Sequence, residues 1–228
     1  MVKTQVIPCS QEEMKKIIDA SMSEPFYFML FTVAKLTGRR LGELYGSQET
    51  KEIGRKIIGN KIEYDREGKA VPLSKTRAIV KKIPNQWKGG VKLQDIDLEK
   101  GIMKVWVLKR GNWIQDESIL NQEAIQSIKF YLAGEGKDLK KSDYLFRKVS
   151  YRGIQDAIDR ISKQAGINHK VSMHSFRHYL ITELKRLGWT NDKISKLTGH
   201  KTPTSLVTYD HVVASDIKAE VLRDLKEL

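Results

Sequence analysis

Apolar residues recur with a helical period at both ends of this chain and with a partial strand period in its middle. Ser10 and Glu13 form a capping-box pair ahead of Met14, Ile17 and Ile18, which predicts a first helix. Pro25 suits the first turn of a second helix; "FYFMLFTVAKL" (26–36) is apolar nearly all round, and Thr37-Gly38 ends it. "RRLGELYG" (39–46) starts a short third helix. "NKIEYDREGKAV" (60–71) predicts two short strands around a glycine-containing turn. Residues 92–120 read as strand, turn, strand, turn, strand, with Lys109-Arg110-Gly111-Asn112 as the second turn.

After Asn121 the helical period returns. Ile125, Ile128 and Leu132 share one face, and Ile154, Ile158 and Ile161 another. Ser172 is placed to cap a helix striped by Phe176, Leu180, Leu184 and Leu187 and stopped by Gly188. Helices over 191–199 and 203–212 follow, then an amphipathic tail helix over 215–228. The expected organisation is one domain over 1–228: helical 1–59, sheet-containing 60–120 and helical 121–228. Helices, a small antiparallel sheet, then helices define an α+β, mostly helical fold.

Charge adds a partner class. Lys and Arg number 41 against 28 acidic residues, a formal net charge of +13. Such an excess suits a polyanion, because cations that neutralise phosphates release counterions. The basic residues are spread along the chain, which disfavours a membrane surface. With Cys9 the only cysteine, no intramolecular disulfide and no cysteine-based zinc site are expected, in keeping with a reducing cytoplasm. No apolar run approaches spanning length, and the first residues do not read as a signal peptide.

Candidate chemistry concentrates late in the chain, in "MHSFRHYLIT" (173–182) and "LTGHKTPTSLVTYDHV" (197–212). His174 and Arg177 project from neighbouring helical positions, His200 follows a reversing glycine, and Tyr209 follows Leu206, which is expected to pack. Two imidazoles, a guanidinium and a phenol in a basic chain suit phosphodiester chemistry without metal. Arginine forks fit the non-bridging oxygens, a phenol can attack phosphorus, and a general acid must protonate the leaving oxygen. A second arginine is found in "TGRRLGEL" (37–44): Arg40, with Glu43 placed either to hold Arg40 in its rotamer or to bond the histidine. Asp95 and Asp97 alternate along a strand without a third ligand at metal spacing.

These segments, in this order, resemble the catalytic domain of the tyrosine recombinase (phage-integrase-like) family. "TGRRLGEL" resembles its first arginine box, "WVLKRGN" (106–112) its lysine hairpin, "DYLF" (143–146) the segment before its next helix, and "MHSFRHYLIT" its His-x-x-Arg box. "LTGH" and "TPTSLVTYDHV" resemble its second histidine and its nucleophile segment. The resemblance implies a DNA recombinase or integrase that cuts and rejoins strands through a 3′-phosphotyrosine, with no metal, ATP or other cofactor. It implies Arg40 and Arg177 as the phosphate clamp and Lys109 as general acid, with Lys104 and Arg110 as the other candidates for that role. His174 becomes proton acceptor or phosphate ligand, His200 a ligand of a non-bridging oxygen, and Tyr209 the nucleophile.

The implied partner is double-stranded DNA in the cytoplasm, with self-association on it as a dimer or tetramer and no membrane role. The tail helix 215–228 either docks on a neighbouring subunit or packs on its own core. Three features depart from the family pattern. Arg39 stands at a usually apolar position, where it adds a phosphate contact or does nothing. The basic stretch 45–90 is extra length, read as a DNA-contacting hairpin or a solvated loop. The family's separate N-terminal DNA-binding domain is expected to be absent. A type IB-like topoisomerase and a non-catalytic DNA-binding remnant are the competing readings.

Overall fold

The computed structural model describes residues 9–64, 70–109, 112–199 and 206, with backbone alone for 48–64, 70–87, 108–109 and 112. Helix α1 (Gln11–Ser21) starts as the capping box requires: Ser10 Oγ accepts the Glu13 N–H at 3.1 Å, and Glu13 Oε2 accepts the Ser10 N–H at 2.8 Å. Its Met14, Ile17 and Ile18 are buried. Helix α2 (Pro25–Thr37) is the central helix. Phe26, Met29, Leu30, Phe31, Val33 and Ala34 are buried on it, as an all-round apolar sequence demands. After the short α3 (Leu41–Tyr45), the chain forms β1 (Ser47–Tyr64) and β2 (Ala70–Lys88). A 3-10 turn at Leu93–Asp95 precedes β3 (Ile96–Asp97), β4 (Ile102–Lys109) and β5 (Asn112–Ile119). Then come α4 (Gln122–Ala133), α5 (Tyr151–Gln164), α6 (Met173–Arg186) and α7 (Asn191–Thr198).

The chain divides into two compact units. The larger comprises Met1–Gly46 and Gly89–Leu228. Its core joins α2 to α4 and α6, with the Phe31 and Phe176 rings 5.3 Å apart, and its sheet is antiparallel in the order β3-β4-β5. The smaller, Ser47–Lys88, is the antiparallel hairpin β1-β2, whose register shifts at three places. The fold is therefore mostly helical with a small three-stranded antiparallel sheet, as expected.

Some local expectations change. The opening helical segment ends at Tyr45 and strand begins at Ser47, so the predicted helical stretch to 59 does not form. Gly46, at φ 86°, breaks the helix, and cross-strand pairing extends the two short strands into two long ones. In α6, Ile181 is buried and Leu187 is 74% exposed, so the apolar stripe turns away before the last turn. Ser172 occupies the N-cap position without accepting a cap bond; instead Ser175 Oγ accepts the Ser172 N–H at 3.1 Å. The tail helix over 215–228 lies outside the described residues, as does the turn at Arg110 and Gly111. Among the described residues no helix is long and apolar enough to cross a membrane.

Candidate active site

The site begins where α2 ends. Gly38 adopts φ 60°, and its N–H bonds Ala34 O at 3.0 Å. A Cβ at this position would lie 2.9 Å from Leu180 Cδ2 and 3.2 Å from Thr198 Cγ2. Glycine thus meets two demands, a left-handed backbone and close approach of α6 and the end of α7. Two residues on, Arg40 stands in extended backbone at the N-cap of α3. Glu43 Oε2 accepts the Arg40 N–H at 3.2 Å, and Oε1 accepts from Arg40 Nη1 at 2.9 Å. Of the two roles open to Glu43, it takes the first. The Glu43 side chain is 8% exposed and that of Arg40 41%, so a buried carboxylate orients a guanidinium that reaches solvent.

Arg39 corrects both readings of its position. Its side chain is buried, and it spans three consecutive residues of β5. Nε donates to Ser118 Oγ at 2.5 Å, Nη1 to Asp116 Oδ2 at 3.0 Å and Nη2 to the Glu117 carbonyl at 2.7 Å. It is an internal tie, facing away from any surface phosphate.

Helix α6 carries the next pair. His174 is exposed, whereas Arg177, one turn on, is buried and donates from Nη1 to the Gly38 and Thr198 carbonyls, each at 2.6 Å. Partial burial of the His174 ring, then the positive charges of Arg40 and Arg177, hold its pKa below the ordinary value; Glu43 opposes the shift. The same couplings mark these four residues as electrostatic neighbours. A depressed pKa leaves the imidazole neutral near pH 7, able to accept a proton. His178, whose ring lies 6.4 Å from that of His174, is also depressed, by burial and then by His174 and Arg177.

The structure thus gathers Arg40, Glu43, His174 and Arg177. Lys109 ends β4, its backbone paired with Asn112, and its side chain lies outside the described residues. His200 and Tyr209 lie outside them as well. Gly199, immediately before His200, caps α7 in a left-handed conformation at φ 70°. Leu206 is buried with Ile181, Leu184 and Ile194, as its spacing predicts. A groove of about 290 Å³ opens beside His174, lined by Leu41, Tyr151, Arg152, Asp156 and Lys170 among others.

Other polar groups of interest prove to be structural. Asp95 Oδ2 accepts the Lys92 N–H at 2.9 Å, while Asp97 Oδ1 accepts the Glu99 and Lys100 N–H groups. Each carboxylate closes its own turn, so the two do not converge. Cys9 gathers with Glu13 and His169, their ligand atoms within 4.8 Å of one another, a mixed set that sequence spacing could not show. Burial, then the Glu13 charge, push the Cys9 thiol up to about 11, so it stays protonated. Both Glu13 oxygens are engaged, by Ser10 N and His169 Nε2, and the trio closes α1 on the loop before α6.

One residue that the sequence did not single out is Arg147. Its guanidinium carbon sits 3.3 Å from the Tyr144 ring centre, and Nε donates to Tyr45 O at 2.7 Å. A Cβ on Gly46 or Gly90 would strike it, so it holds the backbone at both positions. Its only sequence signal is its place just after "DYLF".

Buried core helices, a three-stranded antiparallel sheet and an arginine-histidine cluster form a mostly helical α+β domain with a basic site, as the resemblance in sequence implies. The sequence model of the phage integrase family matches residues 89–215, more than half of the chain, and the chain belongs to that family. The tyrosine recombinase XerC of Natranaerobius thermophilus is 30% identical over 135 residues, covering 54% of this chain and 44% of that protein. The chain therefore matches less than half the length of that relative. Among solved structures, XerA recombinase superposes with a TM-score of 0.66 at 22% identity, over 98% of this chain and 65% of the other. XerH site-specific recombinase, bound to palindromic difH substrate in a post-cleavage complex, gives 0.63 at 17%, over 96% and 53%. At these identities the structures establish the fold.

Proposed function

We propose that this chain is the catalytic domain of a site-specific DNA recombinase that cuts and rejoins strands through a covalent 3′-phosphotyrosine. The observation that supports the reading is that Arg40, held by Glu43, and Arg177 are both near enough to His174 to lower its pKa. The Tyr209 oxygen attacks phosphorus and the 5′-oxygen leaves. His174 accepts the phenolic proton or bonds a phosphate oxygen, and Lys109 protonates the leaving oxygen. Arg40, Arg177 and His200 face the non-bridging oxygens, where preorganised charge contributes most. Because the phosphotyrosyl ester conserves the energy of the cut backbone, attack by a different 5′-hydroxyl reseals the strand without ATP or a metal ion.

The partner is duplex DNA in the cytoplasm, held chiefly through its phosphates, as the net charge of +13 favours. XerH, a protein of the same fold, is bound to its DNA substrate after cleavage. The basic composition of the 45–90 stretch favours a further DNA contact, and self-association on DNA as a dimer or tetramer belongs to the same reading.

The test is a trapping experiment. Nicked duplex DNA in EDTA should yield an SDS-stable adduct that Tyr209→Phe abolishes. Cleavage that survives the substitution removes Tyr209 from the role. Exchange between two sites, rather than relaxation of a supercoiled plasmid alone, separates a recombinase from a type IB-like topoisomerase.

A further inference from the structure

We infer that Arg39 is a positioning residue for this reaction, fixing the loop that carries Arg40 to the sheet that carries Lys109 and to the turn that precedes His200. The inference rests on the proposed function for what the site does, and on the geometry of Arg39 for how it is held. Arg39 and Arg40 are adjacent at the start of α3, and their side chains differ in burial. Arg39 runs inward and is buried, while Arg40 runs outward with its side chain 41% exposed. The inward arginine is therefore the anchor of the outward one.

Three elements meet at this anchor. The bonds to Asp116, Glu117 and Ser118 fix β5, and β5 pairs along its whole length with β4, whose last residue is Lys109. A Cβ on Gly199 would lie 2.8 Å from Arg39 Nη1, so the guanidinium packs against the backbone immediately before His200. On the other side Arg177 holds Gly38 and Thr198, the residues preceding Arg39 and Gly199. The two arginines thus clamp the same pair of backbone segments from two directions.

A purely structural role does not call for an arginine. Desolvating a guanidinium is costly, and an apolar side chain of similar volume fills such a site at least as well. The arginine contributes direction: its planar fork aims three donors at once, which sets the orientation of the loop relative to the strand.

The experiment compares wild type with Asp116→Asn, Ser118→Ala and Arg39→Lys, each confirmed folded by its melting curve. Two readouts are taken: the single-turnover rate of adduct formation at saturating nicked duplex, and the His174 pKa followed by NMR without DNA. His174 is faced by Arg40, Arg177, Glu43 and His178, so displacing Arg40 changes its titration. We expect Asp116→Asn to slow adduct formation on the order of tenfold with DNA affinity unchanged, and to raise the His174 pKa. Arg39→Lys should slow the reaction less than Asp116→Asn does, because it keeps a donor to Asp116. A merely structural role would lower the melting temperature and leave both readouts in place. If wild type forms the adduct, and the folded variants match its rate and its His174 titration, Arg39 is no positioning residue. If wild type forms no adduct, the proposed function fails, and the His174 titration alone decides the role of Arg39.

Discussion

The Arg177 guanidinium lies 2.6 Å from the carbonyl oxygen of Gly38, a residue 139 positions earlier in the chain. That bond joins the helix of the His-x-x-Arg box to the loop of the first arginine box. Arg40 follows Gly38 by two residues, so the bond ties Arg177 to the backbone just before Arg40.

Gly38→Ala should disturb this joint. The left-handed backbone costs a side chain about 1–2 kcal/mol. The added methyl would meet Leu180 at 2.9 Å and Thr198 at 3.2 Å besides. Thermal unfolding should show a fall of several degrees, and the variant should form adduct more slowly at temperatures where it remains folded. An unchanged melting curve would refute the packing argument.

Protonation of His174 gives a pH dependence of known sign. Burial, then Arg40 and Arg177, hold its folded pKa below the ordinary 6.5. If neutral His174 accepts the phenolic proton, the second-order rate of adduct formation at sub-saturating duplex falls as pH drops through that lowered value, so its acid limb lies below 6.5. Between 6.5 and the folded value the unfolded chain binds the proton more readily, so acidification also weakens the fold. Arg40→Gln removes one of the causes and should raise the His174 pKa in an NMR titration. An acid limb above 6.5 would remove His174 from the proton-acceptor role.

The α2–α6 contact can be tested by core truncation. Phe31 is fully buried and its ring sits 5.3 Å from that of Phe176. Phe31→Ala should cost about 3–5 kcal/mol in denaturant unfolding, from lost transfer free energy and the cavity left behind. A loss below about 1 kcal/mol would mean that the two helices close the gap by collapsing together.

Duplex binding should depend steeply on salt. About six to ten phosphate contacts imply a loss of roughly 10³–10⁵ in affinity between 50 and 200 mM salt. Titration of a labelled duplex at several salt concentrations gives the slope, and a flat response would exclude a phosphate-dominated interface.

Much of the scaffold was legible beforehand because its signals are local. The Ser10–Glu13 box, Pro25 at the head of α2, and the glycines that end α2 and α7 are read within a turn of the positions they control. Recurring isoleucines likewise marked the buried face of α5. The hairpin β1–β2 was recognised as extra length, but its strands run well beyond the predicted ones. Strand length there is set by partners on the opposite strand, and a window of sequence does not contain them.

Within the site, the order of boxes along the sequence determined which residues to consider: Arg40, Glu43, His174 and Arg177, together with Lys109, His200 and Tyr209. The tertiary structure alone decided that Glu43 holds Arg40, that Arg177 lies beneath the surface while His174 stays on it, and that Arg39 turns inward to β5. The physical reason is range. Periodicity and capping act over a few residues, whereas a buried guanidinium is placed by acceptors that folding brings to it, here from 77 to 79 positions away for Arg39 and up to 139 for Arg177.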